Sequence, residues 1–199
     1  MKAKLKQFFS KYKYGLIISL VVLIIAFLDL LTKHLTDGKA QSIISGVISI
    51  FSTHNTGAAW SILSQHIWLL IVISIIFILV MLVANYLFKG KTILYTIAMG
   101  LILGGAICNL FDRIIYGYVR DFISLDFMNF PIFNVADIAI TVGVILLCCF
   151  FLFQNNKTSK KQTQNVGNNV DKQNQTASNA NEETSISQNK SSNNQQKEQ

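Results

Sequence analysis

The sequence has few charged residues and a single proline. Charged side chains account for 14% of its 199 residues, whereas about 25% is usual in a soluble domain. Hydrophobic residues make up 51% of the chain, and the mean hydropathy is positive at +0.43. This composition argues against a water-soluble globule and indicates one small integral membrane domain.

Cysteine and histidine are also scarce, with three of each. Cys108, Cys148 and Cys149 lie inside apolar runs and match no metal-binding spacing, so we expect them to pack as small apolar residues. The histidines show no HExxH-type spacing, and no Ser–His or Cys–His set is evident. The sequence therefore predicts neither a metal nor any other cofactor.

Four apolar runs are long enough to cross a hydrocarbon core of roughly 30 Å as helices. They cover residues 14–31, 67–88, 92–111 and 135–153. The strands of a transmembrane barrel would alternate in polarity over about ten residues, and that pattern is absent. We therefore predict an all-α integral membrane protein with four transmembrane helices and an outer loop region in which short strands are allowed.

The basic residues predict the orientation of these helices. Ten lysines precede the first run, separate the second from the third, or follow the fourth: Lys2, Lys4, Lys6, Lys11, Lys13, Lys89, Lys91, Lys157, Lys160 and Lys161. The two long connections, 32–66 and 112–134, hold four basic residues. By the positive-inside rule, both termini face the cytoplasm and both long loops face outward. These basic residues flank the spans and do not form the continuous basic stripe that binds phosphates, so we expect no nucleic-acid partner.

The two ends of the chain differ from the membrane domain. Residues 1–13 are predicted to form a basic cytoplasmic N-terminus, for which a cleavable signal peptide is the alternative. Asp29 and Lys33, together with the lack of a small-residue cleavage site, favour a retained span. Residues 154–199 include 20 Asn and Gln and cannot bury enough apolar surface to offset their ordering entropy, so we predict a disordered cytoplasmic tail.

Polar residues collect where the first span reaches the outer face. Asp29 and Lys33 are spaced i, i+4 and can pair on one helix face. A structural anchor at the membrane interface, with Lys33 extending outward, is the alternative. The following loop carries His54-Asn55-Thr56-Gly57-Ala58-Ala59-Trp60. For this segment, a simple turn is the alternative to a functional role. Trp60 suits a position at the membrane interface.

A second polar group lies at the outer ends of spans three and four. The spacing of Asn109, Asp112 and Arg113 predicts one polar helix face. Asn134 and Asp137 open span four, and helix capping is the structural alternative to a functional role for this pair.

The polar clusters near the outer ends of the spans therefore supply four carboxylates: Asp29, Asp112, Asp121 and Asp137. Ionisable groups at membrane depth are costly and usually functional. Two carboxylates in a partly dry site cannot easily ionise together, so they share a proton and supply an acid and a base in one place. Such a pair suits peptide hydrolysis by an activated water.

Taken in order, these clusters resemble the lipoprotein signal peptidase family, also called signal peptidase II. The resemblance covers about residues 14–153. It rests on five motifs: Asp29-x-x-Thr32-Lys33, Asn55-Thr56-Gly57-Ala58-Ala59-Trp60, Gly104-Gly105 with Asn109-Leu110-Phe111-Asp112-Arg113, Val119-Arg120-Asp121-Phe122, and Phe133-Asn134-Val135-Ala136-Asp137. Arg120 departs from the pattern, since an apolar residue commonly precedes the catalytic aspartate. The short gap between the dyad acids predicts a tight loop over 123–132.

The resemblance implies roles for these residues. Asp121 and Asp137 would form the catalytic dyad of an aspartic endopeptidase at the outer ends of the spans. The residues that would line or support the site are Asn55, Gly57, Asn109, Arg113, Asn134, Asp29, Lys33 and Asp112. The implied enzyme lies in a bacterial cell membrane and cuts prolipoproteins before the diacylglyceryl-modified cysteine. Its expected partners are those substrates and membrane lipids, and the chain is expected to be a monomer.

Two other functions are open at this point. An intramembrane aspartic protease of another kind would need its acids nearer the middle of a span. A small transporter or channel subunit could use the carboxylates as a proton or cation relay, but repeated halves and broken helices are not evident.

Overall fold

The computed structural model describes residues 2–58, 62–64 and 66–154. These residues form four long helices and three strands: α1 Lys2–Thr36, β1 Ala40–Ile44, β2 Ile48–Asn55, α2 Ile67–Leu87, α3 Ile93–Tyr116, β3 Val119–Leu125 and α4 Val135–Gln154. Trp60 and the predicted tail beyond Gln154 lie outside the described residues.

Each of the four helices is long and apolar enough to span a membrane, which confirms the predicted multi-pass all-α fold. α3 is the central helix, because 67% of its spanning segment is buried, against 11% in α1 and 6% in α2. The outer surfaces of the other helices expose many Leu, Ile, Val and Phe side chains. Such continuous apolar surfaces are stable in contact with lipid.

Glycines allow the neighbouring helices to approach α3 closely. Gly100 and Gly104 face α1, and Gly105 faces α4. A methyl group added at Gly105 would collide with the backbone oxygen of Ala136 and would lie 2.7 Å from Cγ1 of Ile140. The position of α4 against α3 therefore depends on the missing side chain at Gly105.

The ends of α3 have well-defined caps. At its start, the Thr92 hydroxyl oxygen accepts a hydrogen bond from the backbone N–H of Tyr95 at 3.3 Å. At its end, Gly117 has a left-handed backbone (φ +76°), and its N–H donates to the carbonyl oxygen of Arg113 at 3.1 Å. The chain turns here, and β3 begins at Val119 beside the C-terminal end of α3.

The three strands form one antiparallel sheet in the order β1-β2-β3, so the short strands allowed in the outer region are present. In the pairing of β2 with β3, Thr53 lies opposite Asp121 and Asn55 opposite Val119. This register brings the end of β2, where Asn55 lies, next to Asp121 in β3.

The segment after Asp121 differs from the predicted tight loop over 123–132. It continues as a strand to Leu125, turns over residues 126–129, and then returns. On the return, Phe133 pairs with Ile123: the Ile123 N–H donates to Phe133 at 2.8 Å and the Phe133 N–H donates back at 3.1 Å. This bridge brings the start of α4 next to β3.

We expect the substitution Gly105→Ala to destabilise the protein. The added methyl group has to displace α4, and overpacking of this kind costs about 1–3 kcal/mol. The measurement is the melting temperature of the purified protein in detergent. Gly15→Ala in α1 is the matched control, because an added Cβ there meets nothing within 4 Å. Equal melting temperatures for the two variants would contradict the close contact between α3 and α4.

Candidate active site

Asp121 and Asp137 meet at one end of the helices although they belong to different elements. Asp121 lies in β3, and Asp137 lies in the first turn of α4. Asn134 contacts both. Its side-chain Nδ2 donates to Oδ1 of Asp121 at 2.6 Å, and its backbone N–H donates to Oδ2 of Asp137 at 3.1 Å. One residue therefore couples the two carboxylates.

Asn134 and Asp137 also cap α4. Oδ1 of Asn134 accepts a hydrogen bond from the backbone N–H of Asp137 at 3.0 Å, while Oδ2 of Asp137 accepts the reciprocal bond from Asn134. This is a capping box, so the structural alternative for the pair is correct. It does not compete with a functional role, because Nδ2 of Asn134 and Oδ1 of Asp137 are both left to contact other site residues.

Side-chain amides hold the remaining carboxylate oxygens. Nδ2 of Asn109 donates to Oδ1 of Asp137 at 2.7 Å, and Nδ2 of Asn55 donates to Oδ2 of Asp121 at 2.8 Å. Oδ1 of Asn109 accepts from Nδ2 of Asn134 at 3.1 Å, which links the two helices. Each of the four carboxylate oxygens thus accepts a hydrogen bond from a neutral N–H group.

Arg113 and Gly57 fix the loop that follows β2. Nη2 of Arg113 donates to the carbonyl oxygen of Gly57 at 3.3 Å, and Nη1 donates to the carbonyl oxygen of Asn109 at 3.4 Å. The Gly57 N–H donates to Oδ1 of Asn55 at 2.9 Å. Gly57 is held through both its N–H and its carbonyl, so the loop is anchored beside the two carboxylates.

Burial changes the acidity of Asp121, whose residue surface is 2% exposed. Loss of hydration is the main cause that raises its pKa, from 3.8 to about 6, and the nearby negative charge of Asp137 adds to the rise. The hydrogen bonds from Asn55 and Asn134 oppose it because they favour the ionised form. Asp121 therefore holds a proton at mildly acidic pH.

The two carboxylates open onto a cavity of about 440 Å³. It is lined by Asn55, Ala58, Asn109, Arg113, Val119, Asp121, Phe130, Pro131, Ile132, Phe133, Asp137, Ile138, Thr141 and Val142. The polar groups cluster around the dyad, and most of the remaining wall is apolar. The sequence analysis did not single out residues 130–132 or the α4 residues Ile138, Thr141 and Val142 as walls of the site.

A row of alternating charges lies behind the site, and we name it the ion chain: Asp29, Lys33, Asp112 and Arg120. Nζ of Lys33 lies 2.6 Å from Oδ2 of Asp29 and 3.0 Å from Oδ2 of Asp112, and all three side chains are fully buried. The predicted pairing of Asp29 with Lys33 is confirmed. The outward extension of Lys33 is wrong, because Lys33 points into the protein, but a structural role for the pair agrees with its buried contacts.

Arg120 ends the ion chain and explains the departure from the family pattern. Its Nη2 donates to Oδ1 of Asp112 at 2.7 Å, its Nε to Oδ2 at 3.3 Å, and its backbone N–H to Oδ2 at 3.1 Å. The guanidinium also lies 4.4 Å from the ring centre of Tyr116. Successive residues of a strand face opposite sides, so Arg120 points away from the cavity that Asp121 faces.

The predicted single polar face of Asn109, Asp112 and Arg113 is wrong. Asn109 and Arg113 line the cavity, whereas Asp112 faces the ion chain. At the other end of the ion chain, Oδ1 of Asp29 accepts a hydrogen bond from the backbone N–H of Ala136 at 3.0 Å. This contact could not be predicted from residue spacing, because it joins a side chain of α1 to the backbone of α4.

We expect Lys33→Met to destabilise the protein strongly. The substitution keeps a long side chain but leaves two buried carboxylates without their shared ammonium, and breaking a buried ion pair costs about 3–5 kcal/mol. Thermal unfolding in detergent measures the loss. Lys89→Met is the matched control, since Lys89 is exposed beyond the end of α2. If Lys33→Met had the same melting temperature as this control, the ion chain would add nothing to stability.

Residues 21–153 match the family described as signal peptidase (SPase) II. A lipoprotein signal peptidase from Lactiplantibacillus plantarum is 40% identical over 132 residues, which cover 66% of this chain and 88% of the relative. One from Lactobacillus johnsonii is 41% identical over 154 residues, covering 74% and 99%. A solved bacterial membrane enzyme superposes with a TM-score of 0.63 at 31% identity, covering 70% of this chain and 90% of the other. The chain belongs to the signal peptidase II family of membrane peptidases.

Proposed function

We propose that this chain is an aspartic endopeptidase that removes signal peptides from prolipoproteins by cutting before the diacylglyceryl-modified cysteine. The observation that carries the catalytic assignment is the contact of Asp121 and Asp137 with a single residue, Asn134, at the wall of a mainly apolar cavity. The relatives named lipoprotein signal peptidase support the substrate assignment.

In the proposed reaction, the dyad starts with one proton. Asp121 carries it, because burial favours its neutral form. Asp137 is the base, because it lies in the first turn of α4, where a negative charge is favourable. The four hydrogen bonds to the dyad fix the direction of each carboxylate before the substrate arrives.

The chemistry then proceeds by general acid and base catalysis. Asp137 takes a proton from water, the water oxygen attacks the scissile carbonyl carbon, and Asp121 gives its proton to the carbonyl oxygen. In the second step, Asp137 gives its proton to the amide nitrogen, the C–N bond breaks, and a diol hydroxyl returns a proton to Asp121. The products are a signal peptide with a new carboxyl group and a lipidated cysteine with a free amino group.

The depth of the dyad supports this substrate. Asp137 is the third residue of α4, and Asp121 lies on the sheet outside the spans. Diacylglyceryl chains remain in the bilayer, so the bond to be cut lies at the membrane surface and not at its midplane. The same depth disfavours an intramembrane protease that cuts inside a span. The proposal includes a bacterial cell membrane location, cytoplasmic termini, an outward-facing site and a monomeric chain in contact with membrane lipids.

We expect Asp121→Asn and Asp137→Asn each to lower kcat/KM on a diacylglyceryl-modified prolipoprotein by about 10³-fold, because each removes a proton-transfer group. The assay uses purified protein in detergent, with melting temperatures recorded for every variant. Asp126→Asn is the matched control, since Asp126 is an exposed carboxylate beyond β3 that accepts a hydrogen bond from Ser49. Normal cleavage by either dyad variant would contradict the assignment.

We expect kcat/KM to fall as the pH rises above about 6, because Asp121 then loses the proton that the reaction requires. The Asn55→Ala variant removes a hydrogen bond that favours the ionised carboxylate. The pKa of Asp121 is then higher, and the fall moves to higher pH. The measurement is a pH profile of kcat/KM for both proteins. A shift of the Asn55→Ala profile to lower pH would refute the assignment of the proton to Asp121.

A further inference from the structure

A second cavity of about 280 Å³ adjoins the first at Asp121. We name it the polar cavity. Besides residues that it shares with the first cavity, it is lined by four polar residues from the end of β2 and the turn after β3: Thr53, His54, Thr56 and Asn129. The two cavities meet where the scissile bond of a substrate would lie.

The two cavities differ in their chemistry and in their direction. The first extends along α4 past Ile138, Thr141 and Val142, which belong to a membrane-spanning helix. The polar cavity extends along the sheet, outside the spanning segments. A chain that passes from one cavity to the other moves from a membrane environment to an aqueous one.

A prolipoprotein has three parts that diverge from the scissile bond. The signal peptide and the acyl chains are apolar, and the first cavity suits both. The mature polypeptide is polar and leaves towards the aqueous side. We propose that the polar cavity binds the first residues of the mature chain, those directly after the lipidated cysteine. The inference rests on the proposed function and extends it to the other side of the cut.

Thr56 and Asn129 supply the groups that would recognise these residues. Within the described part of the chain, their side chains form no hydrogen bond and both residues are exposed, so a bound peptide can reach them. The ring of His54 stacks on Tyr118 at a centroid distance of 4.0 Å, which fixes this part of the wall. A bound residue would displace the water on Thr56 and Asn129, and an apolar residue cannot replace the hydrogen bonds of that water. The polar cavity therefore favours a small polar residue at that position.

The test uses two diacylglyceryl-modified peptides that differ only in the residue after the cysteine, serine in one and leucine in the other. We expect the full-length wild-type protein in detergent to prefer the serine peptide. In the double variant Thr56→Val, Asn129→Ala, we expect KM for the serine peptide to rise about three- to tenfold, as lost hydrogen bonds predict, with the change in kcat below about twofold. KM for the leucine peptide changes less, so the preference falls.

Gln41→Ala is the matched control, because Gln41 is an exposed amide on β1 outside both cavities. A melting temperature equal to that of wild type shows that the double variant is folded. Equal cleavage of both peptides by wild type, or an equal loss on both peptides in the double variant, would overturn the inference while leaving the proposed function in place. If wild type cleaves neither peptide, the proposed function fails and the inference fails with it.

Discussion

The ion chain is the interaction on which the geometry of the dyad depends. Its buried charges are paired within the protein, as charges removed from water must be. One end is Arg120, the residue directly before Asp121. At the other end, Asp29 binds the backbone N–H of Ala136, the residue directly before Asp137. The first helix thus helps to fix the separation of the two carboxylates, although none of its residues is among the described residues that line the dyad cavity.

Among the described residues, neutral amides and not cations donate hydrogen bonds to the dyad. Asn55, Asn109 and Asn134 donate to the carboxylates without cancelling their charge, so the pair can still hold and transfer a proton. Lys33 in the ion chain is occupied by two other carboxylates. Asn134 has a second role, because its side-chain oxygen caps α4. Helix stability and the arrangement of the dyad therefore depend on the same residue.

Features that are local in the sequence could be predicted, and features that depend on tertiary partners could not. Long apolar runs predict the four spans, and the i, i+4 spacing predicts that Asp29 and Lys33 meet. The spacing does not reveal which side of the helix faces the protein, so the inward direction of Lys33 could not be predicted. The pairing of Arg120 with Asp112 could not be predicted for a related reason. Arg120 and Asp121 face opposite sides because they are neighbours in a strand, and the sequence did not predict β3 as a strand.

The bridge between Ile123 and Phe133 limits how the chain can vary in length over evolution. Because side chains alternate along a strand, inserting one residue between Asp121 and this bridge would turn Arg120 and Asp121 each to the opposite face of the sheet. The turn over residues 126–129 lies beyond the bridge, and extra residues there leave the pairing unchanged. We therefore expect insertions and deletions to be tolerated in the turn but not in β3, although the two segments lie only a few residues apart.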